Sequence, residues 1–254
     1  MTTPPPLETI APHDLQLDPT HPTPDLEPDH HGVPDYMLEV YDWAYVNSRN
    51  VRWLDRNLVV RTLLFGQDQR LMRSYLERLQ PGMRVWQVAH VYGDLVQRAA
   101  RRVGHSGAFH LTDVTPAQVR HARAKLESMP WANVWQSDAA RFAGVGHYDV
   151  ICSFFLLHEV PEDKKFEVVN SMLNQLQPGA EAVFVDYHKP AWWQPIGWLL
   201  RGVNAWLEPF AHALWRREIY SYAHTPQLFH WHKRTFFGGV YQCVVATRLP
   251  QTGV

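Results

Sequence analysis

At 254 residues, with 46% hydrophobic and 19% charged positions, the chain carries enough apolar side chain for one large core with appendages. A net charge of -1 removes the electrostatic case for a nucleic-acid partner. The two cysteines, Cys152 and Cys243, lie in apolar runs without CxxC or Cys/His finger spacing, so they read as reduced core residues rather than zinc ligands.

Residues 1–35 hold nine of the nineteen prolines and no Lys or Arg. Such a composition buries little apolar surface, so residues 1–33 are expected to form a disordered acidic tail. It lacks the apolar core of a secretory signal and the arginines of a transit peptide. His13, His21, His30 and His31 in this tail read as solvated side chains, with metal binding the less favoured reading.

Residues 34–80 are expected to form a helical cap. Leu38, Tyr41, Tyr45, Val51, Leu54, Leu58, Leu71, Tyr75 and Leu79 recur at helical spacing. Gly66 should separate two helices. Arg49, Arg52, Arg56 and Arg61 make a basic face, solvated or turned to an anion or lipid headgroup.

Residues 81–190 alternate strands with helices. Strands are expected at 84–89, 108–111, 133–135, 148–154 and 182–185. Helices are expected at about 93–103, from Pro116 to Met129 with Thr115 as cap, and at 162–176, with Gly179 as a stop. This order implies a doubly wound parallel sheet, which binds ligands at the carboxyl ends of its strands. Residues 223–249 should close the sheet with a hairpin around Gly238-Gly239.

The turn after the first strand reads Ala89-His90-Val91-Tyr92-Gly93-Asp94. A glycine-rich turn at this place lets a cofactor approach the backbone, but here only Gly93 is glycine. Asp113 follows the second strand and Asp138 the third. A carboxylate at the first place can accept both ribose hydroxyls, and one at the second an adenine amino group.

The stretches RVWQVAHVYGD, HLTDVTPAQVRHARAKL, WQSDAARF, YDVICSFFLLHEVP, LNQLQPGAEAVFVDYHKP and YQCVVATR resemble the class I S-adenosylmethionine-dependent methyltransferases over roughly residues 70 to 249. That resemblance implies a mostly parallel seven-stranded sheet with N-terminal helices. It also implies S-adenosylmethionine as cofactor, held by Gln87, Gly93, Asp113, Asp138 and Phe154. DVTPAQ and LQPGAEAVFVDYHKP look especially like quinone-ring methyltransferases. The family usually has an acid at Gln87 and glycines at Ala89 and Val91.

These departures are similar to a narrower group. QVAHVYGDL, FFLLHE, VDYHKP, LEPF…LWRREI and PDYMLEVYDWAYVNSRNVRWLDR together resemble the rhodoquinone biosynthesis family over about residues 34 to 249. The resemblance implies conversion of ubiquinone to rhodoquinone, with a ring methoxy group replaced by an amino group. It also implies S-adenosylmethionine as amino donor and a manganese requirement.

The residues themselves offer a site. FFLLHE sets Phe154, Phe155, His158 and Glu159 at the end of the fourth strand. VDYHKP sets Asp186, Tyr187 and His188 at the end of the fifth. His158 and His188 are candidate acid–base groups, with Tyr92 as a further catalytic candidate. Asp186, His158, His188 and Glu159 are candidate manganese ligands. The plainer reading leaves both histidines bonded to loop backbone.

Residues 191–222 carry Trp192, Trp193, Trp198, Trp206 and Trp215. Arg201 and Glu208 oppose a membrane span, so the segment is expected to be a helical lid, an interfacial element, or both. A membrane surface and a lipophilic ubiquinone are the expected partners. The expected location is cytoplasmic, peripheral on a bacterial inner membrane. The alternatives to quinone amination are an ordinary quinone or lipid methyltransferase and a non-catalytic cofactor- or lipid-binding scaffold.

Overall fold

The structure is a computed structural model that describes residues 57–144, 146–196 and 211–250. The acidic tail, the first part of the helical cap, and Trp198, Arg201, Trp206 and Glu208 of the Trp-rich segment lie outside the described residues.

Seven strands form one sheet: β1 (Arg84–Val88), β2 (Ala108–Asp113), β3 (Ala132–Gln136), β4 (Tyr148–Phe154), β5 (Leu176–Tyr187), β6 (Phe229–Phe236) and β7 (Tyr241–Arg248). Their order is β3-β2-β1-β4-β5-β7-β6. The first five run parallel, and β7 enters antiparallel between β5 and β6. The expected hairpin therefore forms, but its second strand, not its first, joins the parallel part. The apolar run Val244–Ala246 on β7 is the physical reason, because an inner strand is buried on both faces while β6 is exposed over most of its length.

Helices α1 (Asn57–Leu63), α2 (Asp68–Leu76), α3 (Leu95–Val103) and α4 (Pro116–Leu126) supply apolar side chains to one face. Gly66, at φ +72°, breaks α1 from α2 as expected. Their side chains pack on Val85, Phe109, Leu111, Cys152, Val183 and Val185. The opposite face, carrying Trp86, Val88, Ile151, Ala182 and Phe184, is covered from α5 (Glu162–Asn174) and Leu214 of α6 (Ala211–Arg216). This split follows from the strand period of two. Both cysteines are free and buried.

Several boundaries differ from the sequence expectation. The first core helix begins at Leu95, and α4 stops at Leu126. Gly179 does not stop a helix: α5 ends at Asn174, and Gly179 sits at φ +85° inside β5, whose first residue already pairs with Tyr148. Leu176 is buried while Gln177, Pro178 and Gly179 are exposed, so the strand begins before its apolar run does.

Candidate active site

The parallel strands all end on one edge, and β7 begins there. Gln87 lies on the α1–α4 face near the end of β1. It is fully buried, its amide nitrogen sits 3.4 Å from the Ala89 carbonyl, and its Oε1 has no hydrogen-bond partner. An unpaired buried amide oxygen costs roughly 1–3 kcal/mol unless a ligand meets it. Ala89 then takes φ +66°, the left-handed region that a glycine occupies without strain.

The loop is held by side chains. The His90 imidazole Nδ1 is 2.8 Å from Gln118 Oε1, and Gln118 Nε2 donates to the Tyr92 hydroxyl at 2.8 Å. Tyr92, the further catalytic candidate, is thus tied to α4 through its hydroxyl. Gly93 has φ +83°, and a Cβ there would stand 3.0 Å from Asn57 Oδ1. The first described helix therefore closes directly over the loop. Lys125 of α4 donates to the Gly93 carbonyl.

Asp113 is the last residue of β2 and is buried. Its Oδ2 accepts the His90 N–H at 2.8 Å, and its Oδ1 accepts both the backbone N–H and the hydroxyl of Thr115 at 2.9 Å. A carboxylate has about four acceptor positions, and donors from the fold itself, the Val114 N–H among them, already engage it. A ribose hydroxyl at Asp113 would share the carboxylate with these donors. Burial raises its pKa, and the hydrogen bonds from Thr115 and His90 work against that rise. Asp138 lies two residues past β3, half-buried, and accepts the Ala140 N–H at 2.9 Å through Oδ1, which leaves Oδ2 for a ligand donor. Phe154 is a buried core side chain on the α1–α4 face, meeting Phe155 edge-on, so it backs the site from within the core.

The two candidate histidines part company. His158 Nδ1 is 2.9 Å from Asp186 Oδ1, and both residues are buried. Asp186 also accepts the N–H groups of Leu157 and Tyr187. His188 instead faces the hairpin. Its Nδ1 is 3.0 Å from the Gly239 carbonyl, and its Nε2 is 2.9 Å from Lys233 Nζ. A carbonyl can only accept, so Nδ1 carries the proton and Nε2 accepts from the ammonium. Burial, then Lys233, lowers the His188 pKa and keeps it neutral. With its lone pair engaged, His188 is a turn anchor, and the acid–base reading passes to His158.

The same divergence bears on the metal expectation. Glu159 Oε1 lies 3.8 Å from His158 Nε2. Asp186 is occupied by His158 and two backbone donors, and His188 points away. Among the described residues no group of three or more His, Cys, Asp or Glu could hold a metal ion. Manganese, implied by resemblance, gains no ligand set from this arrangement.

An S-adenosylmethionine molecule fits what the edge offers. The unpaired Gln87 Oε1 suits an ammonium donor, Asp113 and Asp138 suit the nucleoside, and the Gly93 turn allows close approach. Sequence reasoning missed Gln118, whose place at the end of DVTPAQ gave the only hint. It also missed Lys165, buried on α5, which donates to the Val160 carbonyl and whose pKa falls to about 8 by burial.

Comparison with known proteins bears on the fold that carries this edge. Residues 85–179 match the methyltransferase domain family. The chain is 30% identical over 140 residues to the ubiquinone/menaquinone biosynthesis C-methyltransferase UbiE of Pseudomonas paraeruginosa, covering 52% of this chain and 54% of that protein. It is 31% identical over 140 residues to the protein of the same description from Azotobacter vinelandii, with the same coverage. The chain thus spans about half the length of these curated relatives. An O-methyltransferase family protein from Burkholderia thailandensis superimposes with TM-score 0.61 at 14% identity, over 81% of this chain and 61% of that one. The N-methyltransferase NodS from Bradyrhizobium japonicum does so with TM-score 0.54 at 13% identity, over 77% and 99%. Residues 85–179 thus resemble a methyltransferase domain, and the sheet that holds them has the class I methyltransferase fold.

Proposed function

We propose that this chain is an S-adenosylmethionine-dependent transferase acting on a quinone ring, with methyl transfer to ring carbon as the leading reaction. The observation that carries it is the pairing of a class I cofactor edge with 30% identity to quinone C-methyltransferases. S-adenosylmethionine supplies an electrophilic methyl group when bound. The chain's own part is to hold the nucleoside at Asp113 and Asp138 and the aminoacyl end near Gln87. The His158–Asp186 pair takes a proton from the acceptor at His158 Nε2, with Asp186 fixing the ring and stabilising the imidazolium.

A second reading, amino transfer from S-adenosylmethionine to ubiquinone as in rhodoquinone biosynthesis, is favoured by the cofactor loop. Gln87 brings no charge to the aminoacyl end, and Ala89, His90 and Tyr92 reshape its surroundings. One experiment separates the readings. Purified protein is incubated with ubiquinone, and separately with a benzoquinol that keeps one unsubstituted ring carbon, together with S-adenosylmethionine carrying heavy isotopes at both the amino nitrogen and the transferable methyl carbon. Heavy carbon in the quinone supports methyl transfer. Heavy nitrogen there supports amination and rejects the leading reading. Tight cofactor binding with neither product supports the scaffold alternative.

A peripheral position on a membrane completes the proposal, since a lipophilic quinone must be drawn from a bilayer. Trp192 and Trp193 are 85% and 59% exposed beside Lys189, and the segment is tied to the hairpin turn through Ala191 N–H to the Gly238 carbonyl. No helix among the described residues is long and apolar enough to cross a membrane.

A further inference from the structure

Among the described residues, four non-glycine residues have positive φ: Phe65, Ala89, Phe155 and Phe237. Ala89 belongs to the cofactor loop. The other three are phenylalanines from distant parts of the chain: the α1–α2 turn, the end of β4 and the β6–β7 turn. Yet they converge. Phe237 lies nearly parallel to Phe65, with centroids 6.1 Å apart, and to Tyr241 at 6.4 Å. Phe155 meets Tyr241 edge-on at 5.7 Å and Tyr187 at 5.2 Å. Strain of this kind persists only where the surroundings impose it, and it concentrates at ligand sites.

Tyr241 is fully buried, and its hydroxyl has no hydrogen-bond partner. Buried tyrosine hydroxyls ordinarily find one. Burial also raises its pKa, so the group keeps its proton and can donate. The His158 ring borders the same cluster, 4.8 Å from Tyr187 and 5.8 Å from Phe155.

We propose that this aromatic cluster receives the planar ring of the acceptor, and that the Tyr241 hydroxyl donates a hydrogen bond to a ring carbonyl. The inference deepens the quinone reading above and rests on it. A flat ring bearing carbonyls matches both features at once, because its faces suit aromatic walls and its oxygen completes the unpaired donor. Phe65, Phe155 and Phe237 are only partly buried and form the side that yields, while Tyr241 forms the floor. His158 then stands at the rim, where a proton leaves the ring.

Tyr241→Phe removes one oxygen and keeps the aromatic volume. Because that oxygen has no partner in the fold, the melting temperature should stay level or rise. Affinity of the full chain for decylubiquinone, measured by calorimetry, should fall about three- to tenfold with S-adenosylmethionine affinity unchanged. Equal quinone affinity in wild type and variant overturns the proposal and leaves the quinone reading standing. A lowered melting temperature assigns the hydroxyl to structure and also overturns it. If wild type ignores decylubiquinone but binds a naphthoquinone or a phenol, and Tyr241→Phe weakens that binding, the ring site stands and only the ubiquinone assignment falls. Wild type that binds none of these rings removes both.

Discussion

The His158 imidazole sits 2.9 Å from the Asp186 carboxylate, across the ends of two neighbouring strands, with both side chains buried. The pair is built from residues far apart in the chain, yet the sheet brings them near, since Phe154, the last residue of β4, pairs with Val185, and Asp186 follows directly on β5. Asp186 also holds the loop that carries His158, through the Leu157 N–H at 2.9 Å. Geometry and loop conformation thus depend on one carboxylate.

That dependence predicts a clear ordering of variants. His158→Gln should lower kcat by about 10²-fold or more, the usual weight of a general base. Asp186→Asn should lower it by a comparable factor, because the amide no longer orients the imidazole. His188→Gln should change kcat by less than about threefold, since its lone pair is already used by Lys233. Single-turnover rates with saturating S-adenosylmethionine measure all three. A large loss in His188→Gln alone would reverse the assignment.

The cofactor loop gives a second expectation. Gly93→Ala forces a side chain into the left-handed region, at about 1–2 kcal/mol. It also places a Cβ 3.0 Å from Asn57 Oδ1, so α1 must shift. Cofactor affinity should fall and the loop should exchange amide hydrogens faster, as read by calorimetry and hydrogen exchange. A Gly93→Ala variant with native affinity would show that the N-terminal helix does not close this edge.

Asp113 tests the nucleoside assignment. Asp113→Asn retains a carbonyl acceptor but loses one carboxylate oxygen, so the ribose and either His90 or Thr115 compete for what remains. Affinity for S-adenosylmethionine should weaken by about 1–3 kcal/mol, as expected for bonds to a charged group. Sinefungin binding, which needs the same nucleoside contacts, should weaken in parallel. Loss of one without the other would move the ribose elsewhere.

Acid sensitivity follows from His110. It packs edge-on against Trp135 and Tyr148, with Nδ1 2.8 Å from the Tyr148 hydroxyl. Burial, then Arg84, lowers its pKa from 6.5 to about 4. The unfolded chain therefore takes up a proton near pH 6.5 that the folded protein refuses until about pH 4. Stability contributed by this site is unaffected above the upper value and falls as pH drops through the window. Between pH 7 and pH 5 the loss should be about 2 kcal/mol. Urea unfolding of wild type and His110→Gln at the two pH values measures it, and equal slopes would reject it.

Much of this edge was legible because strand alternation is local. Apolar runs ending in Asp113, near Asp138 and at Asp186 marked the ligand side before any tertiary contact was known. The same locality explains the failures. Nothing within VDYHKP tells His188 to turn toward Gly239 and Lys233, since both partners come from the hairpin. Gly179 read as a helix stop because a glycine just past a helical run ordinarily ends it, whereas pairing with β4 decides the strand. The Phe65, Phe155, Phe237 and Tyr241 cluster was invisible for a similar reason: it joins the N-terminal helices, β4 and the hairpin. The string FFGGVY carried a hint, two aromatics beside a flexible turn at a strand end, and only the sheet order gives it meaning.

The last expectation concerns the membrane. Trp192 and Trp193 are the most exposed large apolar side chains among the described residues, and indole rings favour the headgroup region of a bilayer. Their backbone is not free to move far, because Gln194 Nε2 donates to the Phe237 carbonyl at 2.9 Å and Ala191 N–H to that of Gly238 at 2.8 Å. Docking of these rings would therefore bring the hairpin turn, and Phe237 with it, toward the lipid surface. Trp192→Ser with Trp193→Ser should cut binding to vesicles of phosphatidylethanolamine and phosphatidylglycerol about tenfold or more, while S-adenosylmethionine affinity in solution stays the same. Turnover with a short-tailed quinone should also survive, whereas turnover with a long-tailed quinone in vesicles should fall. Equal losses with both quinones would place these tryptophans in the ring site, and vesicle binding unchanged by the double substitution would remove them from the membrane contact.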